Sequence, residues 1–292
     1  GDITAPDLGL EAKARDEILA EADTVFHLAA VYDLGMTREL GMKVNVGGTE
    51  RVNDFVRRMK ALGGYNYIST CYVSGSYDGY VREGELLQGI TFRNFYEETK
   101  YLAEKSVRTM FGQFPVTIFR PAVVVGHSRT GATLKYDGPY MMLSAIRRLP
   151  AFLARINVGC EQTINIVPID FVASAMARIA SRPDTAGKTF QLADPAPYST
   201  LAICDLFSEL ALGKRTWTRM PSAVVRTLAR TPLVTWIYGL PSGAARYFYS
   251  KTTYDSSNTQ AALAGTGVEC PRLPDYAPNL VRYFFEHPVP KG

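Results

Sequence analysis

The chain has 292 residues, 47% of them hydrophobic and 21% charged, and 32 basic against 28 acidic side chains leave a formal charge of +4. This is the composition of a globular chain with a large core. It excludes disorder and collagen-like repeats, and a basic surplus this small and scattered does not argue for a nucleic-acid partner.

In chain order, residues 11–22 (EAKARDEILAEA) carry a short polar helix pattern, and residues 24–28 form an apolar run closed by Ala29 and Ala30. Residues 46–60 are helical, with Val52, Phe55, Val56 and Met59 at i, i+3, i+4 and i+7. Residues 65–70 (YNYIST) form a strand rich in β-formers. Residues 94–111 form a longer helix with Asn94 as its N-cap. Residues 115–120 and 122–125 make another apolar run, interrupted by Pro121. Strands alternating with helices imply βαβ units, an α/β fold with a parallel sheet and helices on both faces.

From residue 127 the texture changes. Residues 127–140 (HSRTGATLKYDGPY) are loop-like, residues 164–169 read as a strand, 170–180 as a helix and 189–192 as a short strand. The remainder is helix and loop punctuated by prolines. Four cysteines (Cys71, Cys160, Cys204, Cys270) without a CxxC pair, and three dispersed histidines (His27, His127, His287), argue against a zinc site or disulfide framework and for a reducing compartment. No apolar run reaches the roughly 18 residues of a membrane span; the best candidate, residues 231–240, contains Pro232 and ends at Pro241. No basic segment followed by an apolar one opens the chain, so a secretory signal is not expected.

Tyr96 and Lys100 stand at i and i+4, on one face of the helix 94–111. An ammonium beside a phenol favours the phenolate, and a tyrosine tuned this way can pass a proton to or from a substrate oxygen during hydride transfer. Two other pairs share the spacing, Tyr101/Lys105 and Tyr247/Lys251. Context selects the first. Ser69 and Thr70 end a strand, where ligands bind in open α/β sheets, and Tyr96 lies on the next long helix. Tyr101 is turned about 140° away from Tyr96, and Tyr247 lies outside the βαβ region. A strand-end hydroxyl bonding its own backbone is the competing reading of Ser69-Thr70.

Six segments in order resemble those of an extended short-chain dehydrogenase/reductase. Gly1-Asp2-Ile3 resembles the acidic turn that meets the adenine, and His27-Leu28-Ala29-Ala30 the strand end that lines the cofactor. Residues 45–49 (NVGGT) look like the opening of the next helix, and residues 68–75 (ISTCYVSG) with Tyr96-x-x-x-Lys100 like the catalytic set. Residues 120–126 (RPAVVVG) look like the nicotinamide-side segment, and residues 167–172 (VPIDFV) resemble a later family segment. The match is firm over roughly residues 1–195, and the order and spacing of the six together are specific.

The resemblance implies a Rossmann-like doubly wound sheet. The NAD(P)-binding domain would be residues 1–126 with 164–195, and the smaller substrate-binding or lid part 127–163 with 196–292. It implies Tyr96 as general acid/base, Thr70 as the group holding the reacting oxygen, and Lys100 on the nicotinamide ribose. Asp2 and Ile3 would flank the adenine, Leu28, Ala29 and Ala30 would admit the cofactor closely, and Pro121 and Val124 would meet the carboxamide. Asn45 is expected as a structural anchor near the site.

Residues 1–10, 27–34 and 126–140 resemble the thioester-reductase or male-sterility branch. That implies reduction of an acyl thioester, aldehyde or ketone, NADP favoured over NAD, a small-molecule or carrier-linked acyl substrate, and a homodimer packed through helices 46–60 and 94–111. Residues 223–249 mix apolar side chains with arginines. They read as an amphipathic capping helix, with a lid over an acyl pocket or a peripheral membrane contact as alternatives. Two other functions stay open: a nucleotide-sugar epimerase or dehydratase using the same Thr/Tyr/Lys set, and a non-catalytic NAD(P)-binding homologue. One departure stands out. The family's glycine-rich phosphate turn is not found, so the first strand is expected before Gly1. The 292 residues alone are expected to bind the cofactor weakly and to expose an apolar sheet edge.

Overall fold

The computed structural model describes residues 1–228, 247 and 249–288. In chain order its main elements are α1 (Ala12–Glu21), β1 (Thr24–His27), α2 (Gly48–Val56), β2 (Gly64–Ile68), α3 (Phe95–Arg108), β3 (Val116–Pro121), β4 (Val123–Val125), α4 (Tyr140–Arg148), β5 (Ile166–Pro168), α5 (Ile169–Ala180), β6 (Thr189–Leu192), α6 (Thr200–Leu212), α7 (Ser257–Leu263) and α8 (Leu273–Glu286). Two compact units result. The first comprises Gly1–Ala122, Ala175–Leu192 and Tyr254–Gly267, and the second Val123–Ser174, Ala193–Thr253 and Val268–Gly292.

In the first unit four strands form a parallel sheet in the order β1-β2-β3-β6. β3 is buried along its whole length, which suits the near-continuous apolar run of a strand covered on both faces. The stripe Val52, Phe55, Val56 and Met59 packs with Tyr65 and Tyr67 of β2, Ala103 and Val107 of α3, and Val116 and Ile118 of β3. Each such side chain removed from water contributes about 1.5–3 kcal/mol. β1 is an edge of this sheet, and Phe26 on it is 42% exposed.

The helix expected over 46–60 starts earlier and stops sooner. A helical turn at Arg38–Gly41, capped by Thr37, runs through a π-helical stretch, Met42–Gly47, into α2. Lys60 leaves the helix and donates its N–H to Leu19 O at 3.0 Å. Three glycines weaken the helix signal here, but close packing leaves little room for a side chain at Gly48. A Cβ on Gly48 would lie 2.6 Å from Ile3 Cδ1.

In the second unit β4 pairs with β5 in parallel. Tyr140, Leu143 and Ile146 of α4 pack with Ile203 and Phe207 of α6 and with Tyr276, Leu280 and Phe284 of α8. The loop-like stretch expected over 127–140 ends at Pro139, which stands at the N-cap position of α4. Gly131, at φ +76, lies against α8, where a Cβ would sit 2.1 Å from Asn279 O. The amphipathic stretch 223–249 begins as a helix, Ser222–Leu228; most of the rest lies outside the described residues. No helix among the described residues is long and apolar enough to cross a membrane.

Candidate active site

Because the strands of the first sheet are parallel, their C-terminal ends share one edge. Leu28-Ala29-Ala30 leave β1 there, Ser69-Thr70 leave β2, and Pro121 ends β3. Thr70 caps a short 3-10 turn, Cys71–Ser74, its hydroxyl oxygen accepting Tyr72 N–H at 3.2 Å. The backbone-bonding reading therefore accounts for the oxygen's acceptor role, and the hydroxyl hydrogen is left to donate.

α3 delivers the other two residues. Asn94 caps it by accepting Glu97 N–H at 3.0 Å, and Glu97 Oε2 accepts Arg93 N–H at 2.8 Å, a reciprocal start that fixes the first turn. Tyr96, half-buried on that turn, meets the ring of Tyr32 edge-on at 4.9 Å. One turn on, Lys100 is 4% exposed. Its Nζ donates to Ile68 O at 2.6 Å and lies 4.6 Å from the Tyr67 ring centre. This bond ties the Tyr96 helix to the end of β2, two residues before Thr70. Burial pushes the Lys100 ammonium down to about 7, against the opposing pull of Glu104. Tyr101 instead packs against Phe92 at 5.1 Å.

Around this core several buried polar groups are paired, whereas the Tyr67 hydroxyl has no hydrogen-bond partner among the described residues. Asn45, in the π-helical stretch, accepts Val31 N–H at 2.8 Å and donates to Val31 O and Thr99 Oγ1. It thereby holds the segment that follows Ala30. His27 sits beside Thr49 Oγ1 at 3.0 Å, and burial together with the charge of Lys100 pushes it down to about 3. Glu104, fully buried, accepts from Ser69 Oγ at 2.6 Å, Arg120 Nη2 at 2.6 Å and Arg108 Nε at 2.8 Å. Burial opposes its charge, but these partners outweigh it and hold the carboxyl at about 2.

The proposed cofactor residues are placed unequally. Leu28 is 60% exposed, and Ala29 and Ala30 are exposed beside it. Ile3 rests on Gly48. The Asp2 carboxylate turns into its own loop, accepting Thr4 N–H at 2.8 Å, which holds it below the usual carboxylate range. Pro121 is buried, and Val124 lies half-buried on β4 of the second unit. Leu28–Ala30 thus form an open strand end, the exposure that close approach of a cofactor would require. Sequence reasoning missed Glu104. Its signal was its place four residues beyond Lys100, which continues the Tyr96/Lys100 face by one more turn.

These values give a pH dependence. His27 has a folded pKa of about 3 against 6.5 for the free side chain, so between these values the unfolded chain binds the extra proton and stability falls with the pH. The unfolding free energy, read from denaturant titrations, is expected to drop as the pH falls below 6.5, by up to about 1.4 kcal/mol per pH unit from this group alone. Glu104, depressed from 4.5 to about 2, adds a further loss below about 4.5. His27→Gln should flatten the upper part of that curve. An unchanged slope between pH 6.5 and 4.5 in the variant would show that His27 does not control it.

A profile of NAD-binding domains described as male sterility protein matches residues 1–176. The chain belongs to the male sterility protein family. Among curated relatives, the non-canonical nonribosomal peptide synthetase hkm10 of Aspergillus hancockii is 28% identical over 94% of this chain and 28% of its own length. The fatty acyl-CoA reductase wat of Drosophila melanogaster is 26% identical over 65% of this chain and 42% of its own. This member of the male sterility family thus spans less than half of either relative. Among solved structures, the terminal R domain of the myxalamid PKS-NRPS pathway superposes with a TM-score of 0.83 at 25% identity, covering 98% of this chain and 74% of that one. An archaeal thiolation-reductase di-domain shares the fold, with a TM-score of 0.74 at 19% identity over 98% of this chain and 61% of that one. The α/β, Rossmann-like architecture expected from the sequence is the observed one.

Proposed function

We propose that this chain is the NAD(P)H-dependent reductase part of a protein that reduces an acyl thioester, with NADPH as the preferred donor and a carrier-linked acyl group as the substrate class. One observation carries the reading: Lys100 Nζ bonds Ile68 O at 2.6 Å, drawing the helix of Tyr96 and Lys100 to the strand end that presents Thr70. The names of the relatives, peptide synthetases and fatty acyl-CoA reductases, support the thioester.

When bound, the dinucleotide supplies a hydride to the carbonyl carbon. Thr70 donates its hydroxyl hydrogen to the carbonyl oxygen and fixes the carbonyl. Tyr96 passes its phenolic proton to the same oxygen as negative charge develops there, and the Lys100 ammonium favours the phenolate left behind. The tetrahedral product then loses the thiol, so one thioester, one NAD(P)H and one proton yield one aldehyde, one free thiol and NAD(P)⁺. Leu28, Ala29 and Ala30 leave room for the cofactor beside the site.

The test is to give the full-length protein NADPH or NADH with an acyl thioester, a free aldehyde or a nucleotide sugar. Free thiol released in step with NADPH oxidation is the expected result. Turnover of the nucleotide sugar without net cofactor oxidation would replace this reading with an epimerase.

A further inference from the structure

We propose that Glu104 is a positioning residue for the Thr70/Tyr96/Lys100 set, a single buried carboxylate that locks the strand end bearing Thr70 to the helix bearing Tyr96 and Lys100. The inference rests on the reductase reading of that site. Tyr96, Lys100 and Glu104 stand at i, i+4 and i+8 on α3 and share one face. Lys100 reaches the end of β2 at Ile68 O, and Glu104 reaches Ser69, the next residue along it. Glu104 Oε2 accepts the Ser69 hydroxyl at 2.6 Å, and Ser69 precedes Thr70 in the chain. Arg120, which is 1% exposed, donates to both carboxylate oxygens, at 2.6 and 3.0 Å, and its Nη2 also binds Glu85 O. Arg108 donates to Oε1 and reaches Thr189 Oγ1 at 2.9 Å. The carboxylate is therefore held from β3 and from its own helix before it holds Ser69.

Two consequences separate this role from packing alone. The first is geometric: the Ser69 hydroxyl sets where β2 stops, and so where the Thr70 hydroxyl stands relative to Tyr96. The second is electrostatic. Lys100 is faced by Tyr67 from β2, by His27 from β1 and by Glu104 from its own helix, and Glu104 is the one group of the three that carries a negative charge at neutral pH. Its anion sustains the ammonium that the phenolate of Tyr96 needs.

Ser69→Ala removes the tether and leaves Glu104 paired with both arginines, so the variant keeps the buried ion cluster. It should lower kcat by about 10- to 100-fold, as expected for small misplacement of a reacting group, with little change in the KM for NAD(P)H, and Ser69→Thr should restore most of the loss. Glu104→Gln keeps the shape and drops the charge. In isotopically labelled lysine NMR of the full-length protein without cofactor, it should move the Lys100 titration to lower pH. A Ser69→Ala enzyme with normal kcat beside an inactive Tyr96→Phe enzyme overturns the tether and leaves the reductase reading standing. A Lys100 titration unmoved by Glu104→Gln overturns the electrostatic half. If Tyr96→Phe is fully active, the reductase reading falls first, and the lysine titration still decides whether Glu104 sets the charge of Lys100.

Discussion

Tyr96→Phe in the full-length protein should lower kcat for thioester reduction by about 10²–10⁴-fold, the range of a positioned general acid, while thermal unfolding stays where it was. The substitution deletes one oxygen from a half-buried side chain and keeps the ring that meets Tyr32 edge-on, so packing has little reason to change. KM for the cofactor should change little, because the lost interaction is made with the substrate oxygen in the transition state. A loss confined to KM would place Tyr96 in substrate binding instead. A variant with full kcat would remove it from the proton transfer.

Arg120→Leu should destabilise the first unit by about 3–5 kcal/mol, the cost of leaving a buried charge without its main partner. Arg120 and Glu104 are almost wholly enclosed and share two hydrogen bonds. Arg108 and Ser69 still face the carboxylate, which argues for the lower end of that range. Against a total stability of about 5–15 kcal/mol, either end is easily read as a shift of the urea midpoint. The double variant Arg120→Leu/Glu104→Leu should lose less than the sum of the two single losses, because the uncompensated charge is gone. A single-variant loss below about 1 kcal/mol would mean that the pair is balanced by its desolvation.

Much of the first unit was legible in sequence because local signals and tertiary needs agree there. Asn94 caps α3 as its residue type suggests, and the stripe Val52, Phe55, Val56 and Met59 enters the core that its spacing implies. The Tyr96/Lys100 pair was readable from its spacing and from the strand-end hydroxyls before it. Where the two levels conflict, the reading fell short. Gly41, Gly47 and Gly48 weaken any helix on propensity, yet the helix runs through them; a Cβ on Gly41 would lie 2.9 Å from Cγ2 of the buried, β-branched Thr99, so bulk is what that position rejects. Glu104 looks like a solvated charge with Arg108 at i+4; only the fold, by bringing Arg120 and Ser69 against it, makes it a buried hub. Lys100 likewise shows its spacing in the sequence but not its burial, which sets its charge near neutral pH.

Isotope transfer tests the central claim most directly. The full-length protein is given NADPH deuterated at the transferable position together with an acyl thioester, and the product is collected as free thiol and aldehyde are released. The Thr70/Tyr96/Lys100 site is expected to deliver one deuterium to the former thioester carbon for each NADPH oxidised, and Tyr96→Phe to slow that delivery by orders of magnitude. Deuterium that stays on the dinucleotide, with no thiol released, would contradict the assignment of this site to net thioester reduction.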